Sequence, residues 1–167
     1  MTHALIVVNM QTLFLPRIPR RVVGHIRTCI NDAVDQGNPV IATVFCNTTA
    51  SPYVARLDYH GGIDATDRRL EPHVARNATH VIDTYGYIPD ATFFTVLRNM
   101  NVDSVTVVGV DTDACVLATA LACFDNNLAT TVDLRGCYST GGAALHDATE
   151  IILGRNIGTI NVIPHTE

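Results

Sequence analysis

Cys115 is the residue with the clearest potential for chemistry, and it lies within Ser104–Asn126, SVTVVGVDTDACVLATALACFDN. The residues Val105–Val110 form a short apolar, β-branched run that ends in a Gly-Val-Asp turn, as expected of a central parallel strand. Apolar residues then recur at helical spacing, with Thr112 or Asp113 as the candidate N-cap. A thiol in the first turn of this predicted helix faces unpaired N–H groups and the positive end of the helix dipole, which favours a nucleophilic thiolate. The alternative is an inert buried cysteine, the common state of a lone intracellular cysteine.

Several segments of the chain resemble one known family. The string GVDTDACVLATA resembles the nucleophile segment of the isochorismatase-like cysteine hydrolases, which include nicotinamidases and related amidohydrolases. ALIVVNMQTLF is similar to the family's first strand with its Asp-x-Gln motif, and HVIDTYGYIPDATFFTVL to the strand and loop that carry its lysine. TTVDLRGCYSTGGAALHDATEIILGRNIGTINV is similar to the last helix and strands. The resemblance covers most of the chain and implies hydrolysis of a small amide- or ester-type substrate.

Two of the family's three catalytic residues are replaced in this chain. Asn9 stands at the position of the aspartate and Thr84 at that of the lysine, so only Cys115 remains of the catalytic set. All 11 basic residues are arginines, and therefore no neighbouring lysine can substitute. An amide cannot take up a proton near neutral pH, and general acid–base catalysis is typically worth about 10²–10⁴ in rate. The sequence thus indicates a hydrolase of impaired or altered activity, or a pseudoenzyme that binds a ligand or partner.

The resemblance also implies backbone and pocket features. The Val110–Asp111 peptide is expected to be cis, with the backbone N–H groups of Asp111 and Cys115 forming an oxyanion hole. The expected substrate pocket consists of Gln11, Phe14, Tyr85 and Tyr87, and Tyr53 is a further aromatic candidate.

Histidine and carboxylate residues offer a weak metal pattern. Asp58-Tyr59-His60 resembles the metal motif of nicotinamidases, with His73 or His80 as further candidate ligands. Two ligands two residues apart are common by chance, so we expect neither a metal ion nor a cofactor. His146 lies in the last predicted helix, where we expect a surface or capping role.

Length and composition indicate one domain, residues 1–167, with a substantial core. The net charge of −5 and the absence of a basic run argue against nucleic-acid binding. No apolar run reaches the ~18 residues of a membrane span, and we expect no membrane partner. Five irregularly spaced cysteines suit a reducing cytoplasm. The expected partners are a small-molecule substrate or ligand and further copies of the chain in a homo-oligomer, a dimer or a multiple of one.

The hydrophobic pattern predicts a doubly wound α/β fold, with a mostly parallel six-stranded sheet and helices on both faces, an isochorismatase-like three-layer arrangement. The expected strands are 4–9, 40–45, 80–83, 105–110, 130–133 and 159–163, and the expected helices are 20–36, 92–100, 113–126 and 142–155. The first strand is apolar throughout and should be central. Asn9, Thr84 and Cys115 each follow the carboxyl end of a predicted strand, where ligands bind in such sheets.

Overall fold

A computed structural model describes residues 2–165 of the chain. The six strands β1 to β6 are Thr2–Val8, Val40–Phe45, His80–Thr84, Val102–Val110, Ala129–Tyr138 and Val162–Ile163. The six α-helices α1 to α6 are Arg20–Asp35, Pro52–Leu57, Pro72–Asn77, Ala91–Asn99, Leu117–Asp125 and Ala143–Ile157. Among these helices, none is both long and apolar enough to cross a membrane.

The strands form one parallel sheet in the order β3-β2-β1-β4-β5-β6. Strand β1 pairs with β2 on one side and β4 on the other, which confirms the central position expected from its apolar sequence. The predicted α/β fold and its six-stranded sheet are confirmed.

Alternate residues of β1 enter two separate cores. Ile6 packs with α4, α5 and α6 residues such as Phe93 and Leu153, whereas Val7 packs with Ile26 and Ile30 of α1. Because strand side chains alternate between faces, an all-apolar strand can support helices on both sides of the sheet. The carboxyl ends of the strands then remain free to form a site.

The short helices α2 and α3 lie between β2 and β3, where the hydrophobic pattern predicts neither a helix nor a strand. Each has six residues, too few to give a helical period in the sequence. Ser51 caps α2 by accepting a hydrogen bond from the Val54 N–H, and a proline follows each N-cap. These caps, rather than an apolar pattern, were the available signal.

Glu71 caps α3 from a buried position. Its carboxylate accepts hydrogen bonds from the N–H groups of His73 (2.8 Å) and Val74 (3.1 Å), and from the Arg27 guanidinium (2.6 Å). Burial alone would raise the pKa of Glu71, but these hydrogen bonds outweigh it and the pKa is lowered. The Glu71 N–H also donates to the Met10 carbonyl at 2.8 Å and so ties α3 to the end of β1.

Strand β5 is longer than expected and carries a bulge. Val132 pairs with Val107, whereas Cys137 pairs with Gly109, so five steps along β5 match two along β4 and three residues are extra. The extra residues lie between Asp133 and Gly136, where an arginine and a glycine interrupt the apolar run in the sequence. Val132 and Leu134 pack in the core on the α5 and α6 side of the sheet, so Asp133 between them faces the other side, where it hydrogen-bonds His25 of α1.

Gly109 allows β4 to approach β1 closely. Its φ is +128°, and a Cβ there would lie 2.1 Å from the Val8 carbonyl oxygen. Only glycine fits this position, one residue before the Val110–Asp111 peptide.

Candidate active site

A cavity of about 350 Å³ opens at the carboxyl ends of the strands. Aromatic side chains form one part of its wall, with ring centroids 5.1 Å apart for Phe45–Tyr53 and for Tyr53–Tyr87, and 6.4 Å apart for Phe45–Tyr59. The lining consists of Phe14, Arg17, Phe45, Tyr53, Leu57, Tyr59, Tyr87, Asp111, Asp113, Ala114, Cys115, Thr140 and Gly141. Edge-to-face ring pairs leave a firm apolar space beside the polar residues of the turn after β4.

Cys115 reaches this cavity from a π-helical turn, Thr112–Val116, that precedes α5. The Val110–Asp111 peptide before it is cis, as the sequence resemblance implies. The expected N-cap is wrong, because neither Thr112 nor Asp113 caps the helix. Asp111 is the N-cap residue of the π-helical turn and Val116 is that of α5, and neither makes a side-chain cap hydrogen bond.

The two residues expected as caps make tertiary contacts instead. Thr112 shares a 2.8 Å hydrogen bond between its Oγ1 and His146 Nδ1, and Asp113 accepts a hydrogen bond from Ser139 Oγ. His146 is therefore buried, contrary to the expected surface or capping role, and its ring meets His165 edge-on at 4.7 Å. Burial lowers the pKa of His146. These contacts hold the turn against the amino-terminal part of α6.

The Cys115 thiol does not have the thiolate character that its position predicts. Its pKa is raised to about 12, first by burial and second by the negative charge of Asp111, with a smaller contribution from Asp113. A helix terminus favours the thiolate, but desolvation and two nearby carboxylates outweigh that effect. The expectation failed because the sequence pattern gave the position of the thiol in the helix but neither its burial nor the direction of the two carboxylates.

Asn9 lies directly beside Cys115, as its position at the end of β1 predicts. Its φ is +51°, a conformation that asparagine tolerates better than most residues, and the side chain is buried. Thr43 Oγ1 donates a 2.9 Å hydrogen bond to Asn9 Oδ1, which directs the amide group towards the sulfur. The hydrogen bond between the Asn9 side chain and Cys115 acts to lower the thiol pKa, against the larger effects above.

Thr84 is buried at the end of β3 and is not brought to the thiol. Its Oγ1 donates to the Val44 carbonyl oxygen at 3.3 Å. Strands β2 and β1 separate β3 from the strand that leads to Cys115, and spacings of about 4.8 Å make that roughly 14 Å. A lysine side chain is long enough to cover part of this distance, whereas a threonine is not.

Two of the four expected pocket residues line the cavity. Phe14 and Tyr87 form part of its wall, as does Tyr53. Gln11 instead lies behind it, fully buried. Its amide donates to the Phe45 and Asp67 carbonyl oxygens and accepts from the Phe45 N–H.

Tyr85 is also outside the cavity lining, and 62% of its surface is exposed. The chain bends over residues 85–88, and this loop places Tyr87 in the cavity wall and leaves Tyr85 outside it.

Asp111 contributes a side chain to the site as well as a backbone N–H. Its carboxylate accepts hydrogen bonds from the N–H (2.6 Å) and Oγ1 (2.9 Å) of Thr140. Burial raises the pKa of Asp111, although the Thr140 hydrogen bonds act in the opposite direction. The sequence resemblance implies a role for the Asp111 backbone alone, but a carboxylate four residues before a candidate nucleophile also indicates a candidate proton acceptor.

Arg17, Phe45 and Tyr59 also line the cavity and were not anticipated. Arg17 ends a short 3₁₀ turn after β1, and Phe45 ends β2. The position of Phe45 follows from strand order, since β2 lies next to β1.

The Asp58–His60 pair does not fit a metal site. The two side chains hydrogen-bond to each other at 3.0 Å and are strongly exposed, and no third histidine, cysteine or carboxylate joins them within residues 2–165. His73 instead contacts Asn31 through its Nε2 at 2.8 Å, and His80 lies in β3. Two exposed donors fall short of the three or four ligands that zinc requires.

A cysteine in a turn after a central parallel strand, with an amide side chain beside its sulfur, defines a candidate site for nucleophilic hydrolysis. The isochorismatase domain family matches residues 3–151, and the chain belongs to this family. No curated protein sequence gives a significant match.

Solved structures with the same fold include three amide-hydrolysing enzymes by their names. The nicotinamidase of Bacillus subtilis has a TM-score of 0.84 and 18% identity, covering 98% of this chain and 100% of that one. The nicotinamidase of Staphylococcus aureus has a TM-score of 0.79 and 22% identity, covering 98% of each chain. The N-carbamoylsarcosine amidase of Thermoplasma acidophilum has a TM-score of 0.81 and 21% identity, covering 95% of this chain and 94% of that one.

Proposed function

We propose that this protein is a hydrolase of a small amide or ester and that Cys115 is its nucleophile. The observation that carries the proposal is the shared position of Cys115 and Asp111 in one aromatic-walled cavity. A thiol, a carboxylate of raised pKa and an apolar space for the substrate are the parts that acyl transfer needs.

The proposed reaction begins with attack of Cys115 Sγ on the substrate carbonyl carbon. The thiol proton passes to the Asp111 carboxylate, and the carbonyl oxygen accepts hydrogen bonds from the backbone N–H groups of Asp111 and Cys115. When the carbon–nitrogen or carbon–oxygen bond breaks, Asp111 returns the proton to the leaving group. Water then cleaves the thioester and gives a proton to Asp111, which restores the thiol as the acid is released.

In this proposal Asp111 accepts the thiol proton, a role that the Asn9 amide cannot perform. Because burial raises the pKa of Asp111, its carboxylate is a stronger base than an ordinary aspartate. Because the resting thiol of Cys115 is protonated at neutral pH, the proton has to leave as the sulfur attacks. The rate is expected to be low, since no lysine lowers the thiol pKa.

The substrate class follows from the cavity walls. Five aromatic rings and a volume of about 350 Å³ suit a planar group of modest size. Structural neighbours named nicotinamidases support a small aromatic amide as the first compound to test.

A ligand-binding pseudoenzyme is the second candidate. It is favoured by the high thiol pKa and by the neutral residues Asn9 and Thr84, which remove both charges of the family's catalytic pair together. Removing one alone would have left a buried unpaired charge.

A homo-oligomer is proposed through the outer face of α5. Leu117 and Leu121 of this helix, together with Tyr87 and Ile88, line an apolar groove that continues from the cavity through Ala114. Ile88 is 67% exposed in the single chain. Light scattering at micromolar concentration tests this proposal, and a monomer mass would contradict it. The free cysteines support the further proposal of a reducing, cytoplasmic location.

The hydrolase proposal is tested with wild type, Cys115→Ala and Asp111→Asn on a set of small aromatic amides and activated esters. We expect Cys115→Ala to abolish turnover and Asp111→Asn to reduce it by about 10²-fold or more. Asp58→Asn is the matched control for loss of one carboxylate, because the Asp58 side chain is exposed and does not line the cavity, and this variant should keep wild-type turnover. Binding of an amide without any turnover in the wild type would favour the pseudoenzyme.

A further inference from the structure

Three side chains of different chemistry meet between α1 and β5, outside the active-site cavity. His25 and Cys29 lie four residues apart and thus one turn apart on α1, and Asp133 approaches them from the bulge of β5. One donor atom from each residue lies within 4.8 Å of the other two. This is the one such group of three donors in the part of the chain that the structure describes.

We propose that His25, Cys29 and Asp133 form a binding site for a divalent transition-metal ion of the zinc type. The donors are one imidazole nitrogen, one sulfur and one carboxylate oxygen, a mixed set that suits zinc and disfavours magnesium or calcium. Histidine and cysteine at positions i and i+4 of a helix present both donors on one face, and the bulged strand supplies the third.

Metal binding would bring the three donor atoms, which lie within 4.8 Å of one another, to the spacing of a tetrahedral site. Ligand atoms in a tetrahedral zinc site are about 3.3–3.6 Å apart, given bonds of about 2.0–2.3 Å. His25 Nε2 and Asp133 Oδ2 are now 2.9 Å apart and hydrogen-bonded, so the ion would replace this bond and separate the two atoms slightly. The Cys29 thiol gives up its proton to solvent when the sulfur–metal bond forms.

Arg135 supports the site from outside. Its backbone N–H and Nε donate to Asp133 Oδ1 at 3.1 Å and 2.8 Å, and its Nη2 donates to Oδ2 at 2.8 Å. Ligating carboxylates are commonly held by such second partners, which fix their orientation. With the Arg135 guanidinium on one side, Asp133 still directs Oδ2 towards His25 and the proposed ion.

A separate cavity gives the site access to solvent. It has a volume of about 340 Å³, and His25, Arg135 and Cys137 belong to its lining. The His25 side chain is 26% exposed, so the ion can enter and a water molecule can complete the coordination. The ion would fasten α1 to β5, the strand that leads to Ser139 and Thr140 beside the active-site turn.

Cobalt titration of the reduced, metal-free wild type tests the proposal directly. We expect one Co²⁺ per chain, with the visible bands of tetrahedral cobalt and a near-ultraviolet thiolate-to-cobalt charge-transfer band. Zn²⁺ should displace the cobalt and raise the midpoint of thermal unfolding. Absence of the charge-transfer band from the wild type would overturn the proposal, whatever the variants do.

Cys29→Ser should eliminate the charge-transfer band, and His25→Gln should keep it but only at higher Co²⁺ concentration. Each should lose more than about 100-fold in affinity, because even partners outside the coordination sphere are worth 10- to 100-fold. Cys115→Ser is the matched control and should leave band and affinity unchanged. A band that survives Cys29→Ser or disappears in Cys115→Ser would overturn the assignment, as would unchanged affinity in His25→Gln.

Discussion

The reactivity of Cys115 towards an alkylating reagent gives the sharpest test of its environment. A pKa of about 12 in place of the ordinary 9.0 lowers the thiolate population at neutral pH by about 1,000-fold. A thiolate of higher pKa is intrinsically more nucleophilic, by about 20-fold over this range with a Brønsted coefficient of 0.4–0.5. Cys115 should therefore react roughly 50-fold more slowly with iodoacetamide at pH 7 than a free cysteine of the ordinary pKa.

Asp111→Asn should partly relieve this suppression. The asparagine keeps an oxygen for Thr140 and removes the negative charge that is the second cause of the raised thiol pKa. If the thiol pKa falls by one unit, the thiolate increases about 10-fold and the labelling rate at fixed pH about threefold, after the loss of nucleophilicity. The same substitution should lower hydrolysis if Asp111 accepts the proton, so labelling and turnover should change in opposite directions.

The assay follows the labelling rate of Cys115 against pH by peptide mass spectrometry, with Cys29 as a second partly buried thiol in the same sample. Asp58→Asn is the matched control, because it removes an exposed carboxylate at a residue whose φ of +51° asparagine tolerates. An unchanged pH profile in Asp111→Asn would refute the claim that the Asp111 charge raises the thiol pKa. Wild-type labelling faster than that of a free cysteine would refute the raised pKa itself.

Further substitutions test the packing of the fold and the charges of the site. Gly109→Ala should destabilise the protein by at least about 3 kcal/mol, because the new Cβ would lie 2.1 Å from a β1 carbonyl oxygen. In Gly24→Ala the new Cβ meets nothing within 4 Å, and this variant should stabilise α1 by about 0.5–1 kcal/mol. Urea unfolding measures both changes. Glu71→Gln should make the free energy of unfolding less dependent on pH in acid. The lowered pKa of Glu71 contributes stability above the ordinary carboxyl pKa, and this stability is lost as the pH falls through the pKa of the folded state. Equal acid sensitivity in variant and wild type would contradict this. Asn9→Asp alone should raise the pKa of the Cys115 thiol further and slow its labelling. Addition of Thr84→Lys should lower that pKa again and increase ester hydrolysis above wild type. A folded double variant that binds substrate but stays inert would contradict the assignment of the lost acid and lysine.

The architecture was predictable because the central strands carry uninterrupted apolar runs. The expected bounds of β2 agree with the structure, and β1 and β4 lie where their sequences place them. Helices α2 and α3 were not predicted because six residues give too little periodicity. The carboxyl-terminal part of β5 was not predicted because its bulge contains an arginine and a glycine, which resemble a strand end.

The site was predictable in position but not in its electrostatics. Asn9 and Cys115 meet because β1 and β4 are neighbours, a consequence of topology that the strand pattern carries. The raised pKa of Cys115 depends on burial and on which way the Asp111 side chain points, and no one-dimensional pattern reports either. Tyr85 was misassigned for a similar reason, because the sequence does not report the path of the loop that bends over residues 85–88.

Hydrolysis of a small primary aromatic amide, measured as ammonia release by wild type and Cys115→Ala side by side, is the decisive test of Cys115 as a nucleophile. We expect slow release by the wild type and none above background by the variant, with both proteins folded and binding the same amide. An intact mass showing a transient acyl group on wild type, absent from Cys115→Ala, would support the thioester step. Equal rates in the two proteins, or no release by the wild type from any amide or ester that it binds, would contradict the assignment of Cys115 as a nucleophile.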